Sequence, residues 1–225
     1  MTTAPATAGS ILVMAKSPRP GRSKTRLCPP CTPHQAAGLA EAALADTLAA
    51  VAAVPRVRRV VVLDGPAGRW LPPAFEVFPQ RSGSLDERLA AAFADAHRGA
   101  GEPTLLIGMD TPQVTPGLLG RALEALDALG ADAVLGAARD GGWWALGLRQ
   151  ADPDVFRGVP MSTGQTGSAQ RRRLQALGLT VRDLSSLRDV DYFDDAVAVA
   201  AEIPGSSFAR ALAALDLTSP ARAQP

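Results

Sequence analysis

The sequence predicts an α/β protein with an open, mainly parallel sheet flanked by helices. Two observations support this fold class. Short apolar runs that fit buried strands alternate with longer segments whose apolar residues recur at helical spacing. The chemically distinctive segments also follow strands, as they do in open sheets that bind ligands at the carboxyl ends of their strands.

The length of 225 residues suits one well-buried domain. We place this domain at residues 10–216, between a flexible N-terminus at 1–9 and a flexible tail at 217–225. The net charge of +1 gives no overall field that would attract nucleic acid or a membrane. The apolar runs are too short to span a bilayer, and the first lacks the basic lead of a secretory signal. We therefore expect a cytoplasmic enzyme.

Strands are predicted where short apolar runs lie between turn residues. In chain order they cover 11–15, 57–63, 75–78, 104–108, 133–136 and 179–184, and a further strand begins near Trp143 and Trp144. Helices are predicted where capping residues precede helical spacing, as in Thr32-Pro33-His34-Gln35 and Ser84-Leu85-Asp86-Glu87. The predicted helices run to about Pro55 and His97, from Thr115 to Gly130, and over 170–177 and 196–202, with a polar loop at 162–167.

A basic loop follows the first predicted strand. Five cations fall within eleven residues, and no acid occurs before Glu41: the cations are Lys16, Arg19, Arg22, Lys24 and Arg26. Lysine and arginine on a mobile loop can close over phosphates, although the glycine spacing is not that of a Walker loop. The alternative interpretation is a solvated surface loop.

The acid Asp110 follows the strand at 104–108, and Pro112 prevents that strand from continuing. One interpretation is a turn residue that hydrogen-bonds its own backbone. The other is a magnesium ligand that faces a nucleotide phosphate, because hard cations prefer oxygen ligands.

The segment Arg139-Asp140-Gly141-Gly142-Trp143-Trp144 follows the fifth strand. Its two glycines allow a backbone to approach a ligand closely, and its two tryptophans offer flat faces to a sugar, a base or an acceptor. Either tryptophan alone could equally belong to the core. We do not expect both there, because neighbours on a strand point to opposite faces.

Several enzyme classes are disfavoured. The chain lacks the glycine-rich dinucleotide fingerprint and the Gly-x-Ser-x-Gly elbow of hydrolases. Cys28-Pro-Pro-Cys31 is close to His34, but His97 is the only other histidine, whereas a structural zinc site needs about four ligands. We interpret the cysteines as ordinary loop residues in a reducing compartment.

Three motifs resemble those of a bacterial family labelled arsenosugar-biosynthesis-type glycosyltransferases. They are the segment from Ala15-Lys16-Ser-Pro to Lys24-Thr25-Arg26-Leu27-Cys-Pro-Pro, the turn Ile107-Gly-x-Asp110-x-Pro, and Asp140-Gly-Gly-Trp-Trp-x-Leu-Gly-Leu148. This family belongs to the nucleotide-diphospho-sugar transferase superfamily, so the resemblance implies a single-domain glycosyltransferase-A-like fold. The first loop is also similar to that of 2-phospho-L-lactate guanylyltransferase.

The resemblance implies that Asp110 binds a divalent metal, Mg²⁺ or Mn²⁺, and that Glu87-Arg88 matches a pair found in the family. Asp189 and Asp191 match the start of a late Asp-x-Asp-Thr-Pro segment that supplies a second metal carboxylate in nucleotidyltransferase relatives, and we assign Asp191 to that role. Tyr192-Phe193 replace the Thr-Pro of that segment, and Arg139 stands where the family has an acid.

Two functions remain open, with a non-catalytic nucleotide-binding protein in reserve. A nucleotidyltransferase would move a nucleotide from an NTP to a small phosphorylated or carboxylated acceptor and release pyrophosphate. A glycosyltransferase would move a sugar from an NDP-sugar to a small-molecule acceptor, with Asp140 as the base. The number of cations favours the first. Nucleotide binding is predicted for Lys16, Arg22, Lys24, Thr25, Arg26 and Arg88. Catalysis is predicted for Asp110, Asp140 and Lys24, and acceptor or sugar binding for Gly141, Gly142, Trp143 and Trp144.

Overall fold

The structure is a computed structural model that describes residues 9–97, 102–127 and 130–217. Residues 1–8 and 218–225, which make up most of the segments predicted to be flexible, lie outside the described residues. Within the described ranges, no helix combines the length and the apolar character needed to cross a membrane.

A seven-stranded sheet forms the centre of the molecule. Its strands are β1 (Ser10–Lys16), β2 (Arg58–Asp64), β3 (Glu76–Pro79), β4 (Thr104–Gly108), β5 (Ala133–Ala138), β6 (Trp143–Leu148) and β7 (Val181–Leu187). Their order across the sheet is β3-β2-β1-β4-β6-β5-β7. All neighbouring pairs are parallel except those of β6, which runs antiparallel to both β4 and β5. The predicted fold class is confirmed.

In the part of the chain that the structure describes, six α-helices accompany the sheet: α1 (Pro33–Ala52), α2 (Leu85–Ala96), α3 (Pro116–Asp127), α4 (Thr166–Ala176), α5 (Phe193–Glu202) and α6 (Ser207–Ala213). Alternate residues of the strands pack into different core clusters. Ile11 and Leu105 lie in a cluster with residues of α1 and α3, whereas Leu12 and Leu106 lie in a cluster with residues of α2 and α4. Burial on both faces explains why the central strands are continuous apolar runs.

Four elements differ from the predictions. Helix α5 begins at Phe193, three residues before its predicted start. Helix α4 begins at Thr166, inside the segment predicted as a loop. Strand β7 extends to Leu187, three residues beyond its predicted end, because it pairs with β5. Helix α6 was missed because it is short. Phe208 anchors it in a third core cluster, and the Asp46 carboxylate accepts hydrogen bonds from the backbone of Ser207 and Phe208 at 3.0 and 2.7 Å.

The topology brings the distinctive segments of the sequence to one edge of the sheet. Since β1, β4, β5 and β7 all point the same way, their carboxyl ends share that edge. The basic loop follows β1, Asp110 follows β4, and the Asp-Gly-Gly turn follows β5. The chain leaving β7 brings Asp189 and Asp191 to the same edge. This is where open α/β sheets bind their ligands.

Candidate functional site

Two adjoining cavities open at the carboxyl edge of the sheet. The smaller, of about 390 Å³, is the basic chamber, because five cations line it: Lys16, Arg22, Lys24, Arg26 and Arg88. The larger, of about 810 Å³, is the acidic chamber, because five carboxylates line it: Asp110, Asp140, Asp189, Asp191 and Asp195. Asp110 and Asp191 line both chambers and mark the place where they meet.

The basic chamber contains all six residues predicted to bind nucleotide, with Thr25 beside the five cations. Its loop is fixed at both ends. The Ser17 backbone donates to Asp64 of β2 at 2.8 Å, and the fully buried Leu27 closes the short 3-10 helix Thr25–Leu27. Lys24, which caps that helix, has a left-handed backbone with a φ of 49°. This conformation costs a non-glycine residue about 1–2 kcal/mol.

Lys24 connects the two shared carboxylates. Its Nζ lies 2.7 Å from Asp110 Oδ1 and 3.2 Å from Asp191 Oδ1, and its side chain is 11% exposed. Burial alone would lower the pKa of Lys24, but the two carboxylates outweigh that effect and raise it above its ordinary value. Arg26 adds a second cation, with its Nη1 3.0 Å from Asp191 Oδ2 and its guanidinium over the Tyr192 ring.

The backbone explains why Asp110 and Asp191 lie close together. The Val190 amide donates to the Asp110 carbonyl at 2.9 Å, which ties the end of β4 to the chain that follows β7. At the start of α5, the Asp195 carboxylate accepts from the Tyr192 amide at 2.9 Å and holds Arg188 at 2.9 Å. The Asp110 side chain therefore faces Lys24 across the fold and does not cap its own turn.

The donor set at the junction suits a magnesium or manganese ion. Both carboxylates already share one cation, and such ions are usually held by one or two carboxylates together with substrate phosphates. Among the described residues, no group of three or more His, Cys, Asp or Glu side chains is arranged to hold a metal. A metal bound by these two carboxylates would complete its shell with oxygen ligands from water or from a substrate.

Asp189 lines the acidic chamber, and its surroundings differ from those of Asp191, the residue predicted to bind the metal. Burial, followed by the charges of Asp110 and Asp140, raises the pKa of this carboxyl to about 7. Its Oδ1 is buried and has no hydrogen-bond partner among the described residues. The Asp-x-Asp spacing was the available signal, but it did not distinguish Asp189 from Asp191.

Gln80 was missed because nothing in its local sequence marks it. Its Nε2 donates to the carbonyls of Ala15 and Val62 at 2.8 and 3.0 Å, across β1 and β2. Its Oε1 accepts from Arg88 Nη1 at 3.0 Å, so Gln80 orients that arginine in the basic chamber. Ser162, which lines both chambers with a φ of 58°, was also missed.

The Asp-Gly-Gly turn forms one wall of the acidic chamber. Asp140 Oδ1 accepts from the Gly142 amide at 2.8 Å, so one carboxylate oxygen stabilises the turn itself. Gly141 has a φ of 91°, and a Cβ there would collide with the Gly164 carbonyl. The Gly167 amide donates to the Gly141 carbonyl at 2.8 Å, which fixes the turn against the start of α4.

The two tryptophans lie on opposite faces of β6, and the prediction that Trp144 binds an acceptor or a sugar is wrong. Trp143 is partly exposed and lines the acidic chamber. Trp144 is 1% exposed on the opposite face of β6, where its Nε1 donates to the Ser185 carbonyl at 3.0 Å. Trp144 is thus a core residue and cannot stack on a sugar or an acceptor, because successive side chains of a strand face opposite sides.

Cys28 and Cys31 are free thiols next to the basic loop. Burial raises the pKa of both thiols, which disfavours the reactive thiolate form. Cys31 packs in the third core cluster, near Leu27 and Phe208.

Residues 47–163, just over half of the chain, match the family DUF2064, which is described as an uncharacterized protein conserved in bacteria. The chain belongs to this family. No curated protein sequence matches it.

Solved structures share the fold over most of the chain. A protein from Desulfovibrio desulfuricans G20, provisionally described as a nucleotide-diphospho-sugar transferase, is 26% identical with a TM-score of 0.80 over 92% of this chain and 94% of its own. CMP:2-keto-3-deoxy-manno-octonic acid synthetase complexed with CTP is 13% identical, with a TM-score of 0.56 over 87% and 98%. Rv0371c from Mycobacterium tuberculosis H37Rv, in complex with manganese, is 21% identical with a TM-score of 0.50 over 86% and 98%.

These similarities place this DUF2064 member in the fold of nucleotide-diphospho-sugar transferases and nucleotidyltransferases. The narrower resemblance to the arsenosugar-biosynthesis-type family stays a prediction, as do the roles assigned to individual residues.

Proposed function

We propose that this protein is a metal-dependent nucleotidyltransferase that transfers a nucleotide from an NTP to a small phosphorylated or carboxylated acceptor and releases pyrophosphate. One observation carries the proposal: a chamber lined by five cations opens directly onto Asp110 and Asp191, where a second and larger chamber begins. A triphosphate in the first chamber would present its α-phosphorus to an acceptor in the second. The solved CTP complex of a protein with the same fold supports a nucleotide substrate.

The reaction requires positioning and charge neutralisation more than a strong base. An acceptor oxygen forms a bond to the α-phosphorus, the bond from that phosphorus to the bridging oxygen breaks, and the electron pair leaves with pyrophosphate. Lys16, Arg22 and Lys24 would neutralise the charge that develops on this leaving group. Gln80 would keep Arg88 directed at the nucleotide.

Asp110 and Asp191 would hold the Mg²⁺ or Mn²⁺ ion together with the phosphate oxygens. When bound, that ion supplies Lewis-acid stabilisation of the phosphate charge. On the acceptor side, Arg139 lines the acidic chamber, and its guanidinium has no partner among the described residues. It is therefore available for the phosphate or carboxylate of an acceptor, for which it offers a two-pronged hydrogen-bonding geometry.

Glycosyl transfer from an NDP-sugar is the second candidate. Trp143 favours it, because this partly exposed ring lines the acidic chamber and offers a face for a sugar. The provisional description of the Desulfovibrio protein points the same way. In this reaction the second oxygen of Asp140, which the turn does not use, would act as the base.

The test has two stages. Thermal shifts with each NTP and each NDP-sugar in the presence of Mg²⁺ identify the donor, because a ligand that binds only the folded state raises apparent stability. Turnover with the selected donor and a panel of phosphorylated and carboxylated acceptors should then release pyrophosphate. Stoichiometric NDP without pyrophosphate, from a sugar donor and a working acceptor, would establish the glycosyltransferase instead.

A further inference from the structure

We propose that the Lys24 ammonium occupies the divalent-cation position in the free protein, so that the metal enters only together with a phosphate chain that draws Lys24 away. This inference rests on the proposed function, in which Asp110 and Asp191 are the metal ligands. It starts from one geometric fact: Lys24 Nζ is 2.7 Å from one of these carboxylates and 3.2 Å from the other.

Charge balance gives the first argument. The two carboxylates already face two cations, since Arg26 lies 3.0 Å from Asp191 while Lys24 contacts both acids. A divalent ion approaching this neutral group gains little attraction from it, and it is repelled by both positive charges at short range. The free protein is therefore a poor site for metal alone.

The placement of Lys24 gives the second argument. The left-handed backbone at Lys24 directs a long side chain into the junction, where it is 11% exposed. The same residue lines the basic chamber beside Lys16 and Arg22. A rotation of the side chain would take the ammonium from the carboxylates to a phosphate in that chamber without moving the loop.

A bound phosphate chain changes the charge balance at Asp110 and Asp191 in favour of metal binding. Its oxygens add negative charge in the basic chamber, attract Lys24 and complete the oxygen shell of a metal that the protein alone supplies with two carboxylates. Metal and phosphates would then bind cooperatively, because the affinity for metal depends on the fraction of molecules in which Lys24 has left the junction. Through this movement of Lys24, the protein would bind the metal–nucleotide complex in preference to free metal.

The experiment measures Mn²⁺ binding by electron paramagnetic resonance in the absence of nucleotide. It compares the wild type with Lys24→Met and Lys24→Gln, which remove the charge and keep most of the length of the side chain. Lys16→Met is the matched control, because it removes the same charge from the same chamber without touching a carboxylate. We expect both Lys24 variants to bind Mn²⁺ at least about tenfold more tightly than the wild type. Lys16→Met should bind no more tightly than the wild type.

A second arm repeats the titration with inorganic tripolyphosphate, which replaces the nucleotide whatever its base. Here the order should reverse: the wild type should bind the Mn²⁺–tripolyphosphate complex more tightly than Lys24→Met, because Lys24 then contacts a phosphate. Such a reversal is not expected from a lysine that only stabilises the fold. Melting curves of each variant establish that the compared proteins are folded.

The outcomes separate the inference from the proposed function. If the wild type binds Mn²⁺ alone as tightly as Lys24→Met, and Asp110→Asn abolishes that binding, the metal assignment stands and the inference fails. The inference also fails if Asp110→Asn does not weaken the binding gained by Lys24→Met. If no variant binds Mn²⁺ with or without tripolyphosphate, the metal assignment itself is wrong and the inference falls with it.

Discussion

The basic and acidic chambers meet at the same two carboxylates but neutralise their charges differently. In the acidic chamber, Arg26 and Arg188 are paired with Asp191 and Asp195. In the basic chamber, Lys16 and Arg22 have no carboxylate partner among the described residues. The basic chamber therefore keeps positive charge that a phosphate chain would neutralise, whereas in the acidic chamber Arg139 alone of the three lining arginines lacks a carboxylate partner among the described residues. This difference supports the proposal that the phosphate-rich substrate binds in the basic chamber.

The largest effect is expected where the two chambers meet. Asp110→Asn should lower metal-dependent turnover by more than the roughly 10- to 100-fold that the loss of an outer-shell partner of a metal ligand costs. The reason is that the amide keeps the local shape but removes a charge shared by both chambers. The measurement is kcat across a magnesium titration.

Asp64→Asn is the matched control for Asp110→Asn, because Asp64 ends the nearby β2, is exposed and lines neither chamber. Equal turnover of Asp110→Asn and wild type at every magnesium concentration would show that Asp110 is not a metal ligand.

The tryptophans distinguish the wall of the acidic chamber from the core. Trp144→Ala should lower the free energy of unfolding by about 3–5 kcal/mol, because it empties a buried site and removes a hydrogen bond to β7. Trp143→Ala should cost clearly less stability, since its ring is partly exposed. Urea denaturation of both variants measures the difference.

Trp143→Ala, compared with Lys24→Ala, also tests the second candidate function. If the enzyme transfers a sugar, Trp143→Ala should reduce turnover more than Lys24→Ala does, and the reverse order is expected for nucleotidyl transfer. Equal destabilisation by the two tryptophan variants would show that Trp143 is also a core residue.

Removing cations from the basic chamber should weaken nucleotide binding. Lys24→Ala and Arg26→Ala should each reduce nucleotide affinity roughly ten- to a hundred-fold, because a charge-assisted hydrogen bond contributes about 1.5–3 kcal/mol. Arg26 should show the smaller effect, since its side chain is 64% exposed and its charge is screened by solvent. Isothermal titration calorimetry with the selected nucleotide measures both.

Arg19→Ala is the control, because Arg19 belongs to the same loop but lines neither chamber. If both Lys24→Ala and Arg26→Ala bind the nucleotide with wild-type affinity, the basic loop is only a solvated connector.

The smallest effect is expected at Gln80. Gln80→Met removes the acceptor that orients Arg88 and should reduce nucleotide affinity about two- to tenfold, less than the loss of a cation, because Arg88 keeps its own charge. In an Arg88→Ala background the same substitution should have no further effect on affinity, which distinguishes a positioning role from a direct contact. Gln175→Met, on the exposed face of α4, is the control.

The sequence by itself determined the order of the strands and of helices α1 to α5, the buried character of the central strands and the polarity of the segments that follow them. These features depend on residues close together in the chain: capping boxes, apolar spacing, and the Pro112 break after Asp110. For the same reason the six nucleotide-binding candidates could be named, and all of them line the basic chamber.

Only the tertiary structure decided which carboxylates meet and which aromatic ring is free. Asp110 and Asp191 share Lys24 because a backbone hydrogen bond joins the end of β4 to the chain after β7, far away in sequence. Trp143 and Trp144 are chemically identical in the sequence, and only the pairing of β6 determines which one faces the acidic chamber. Gln80 acts through contacts with two other strands, so no local pattern could reveal it. Short-range rules fix the elements, whereas contacts between distant segments fix the site.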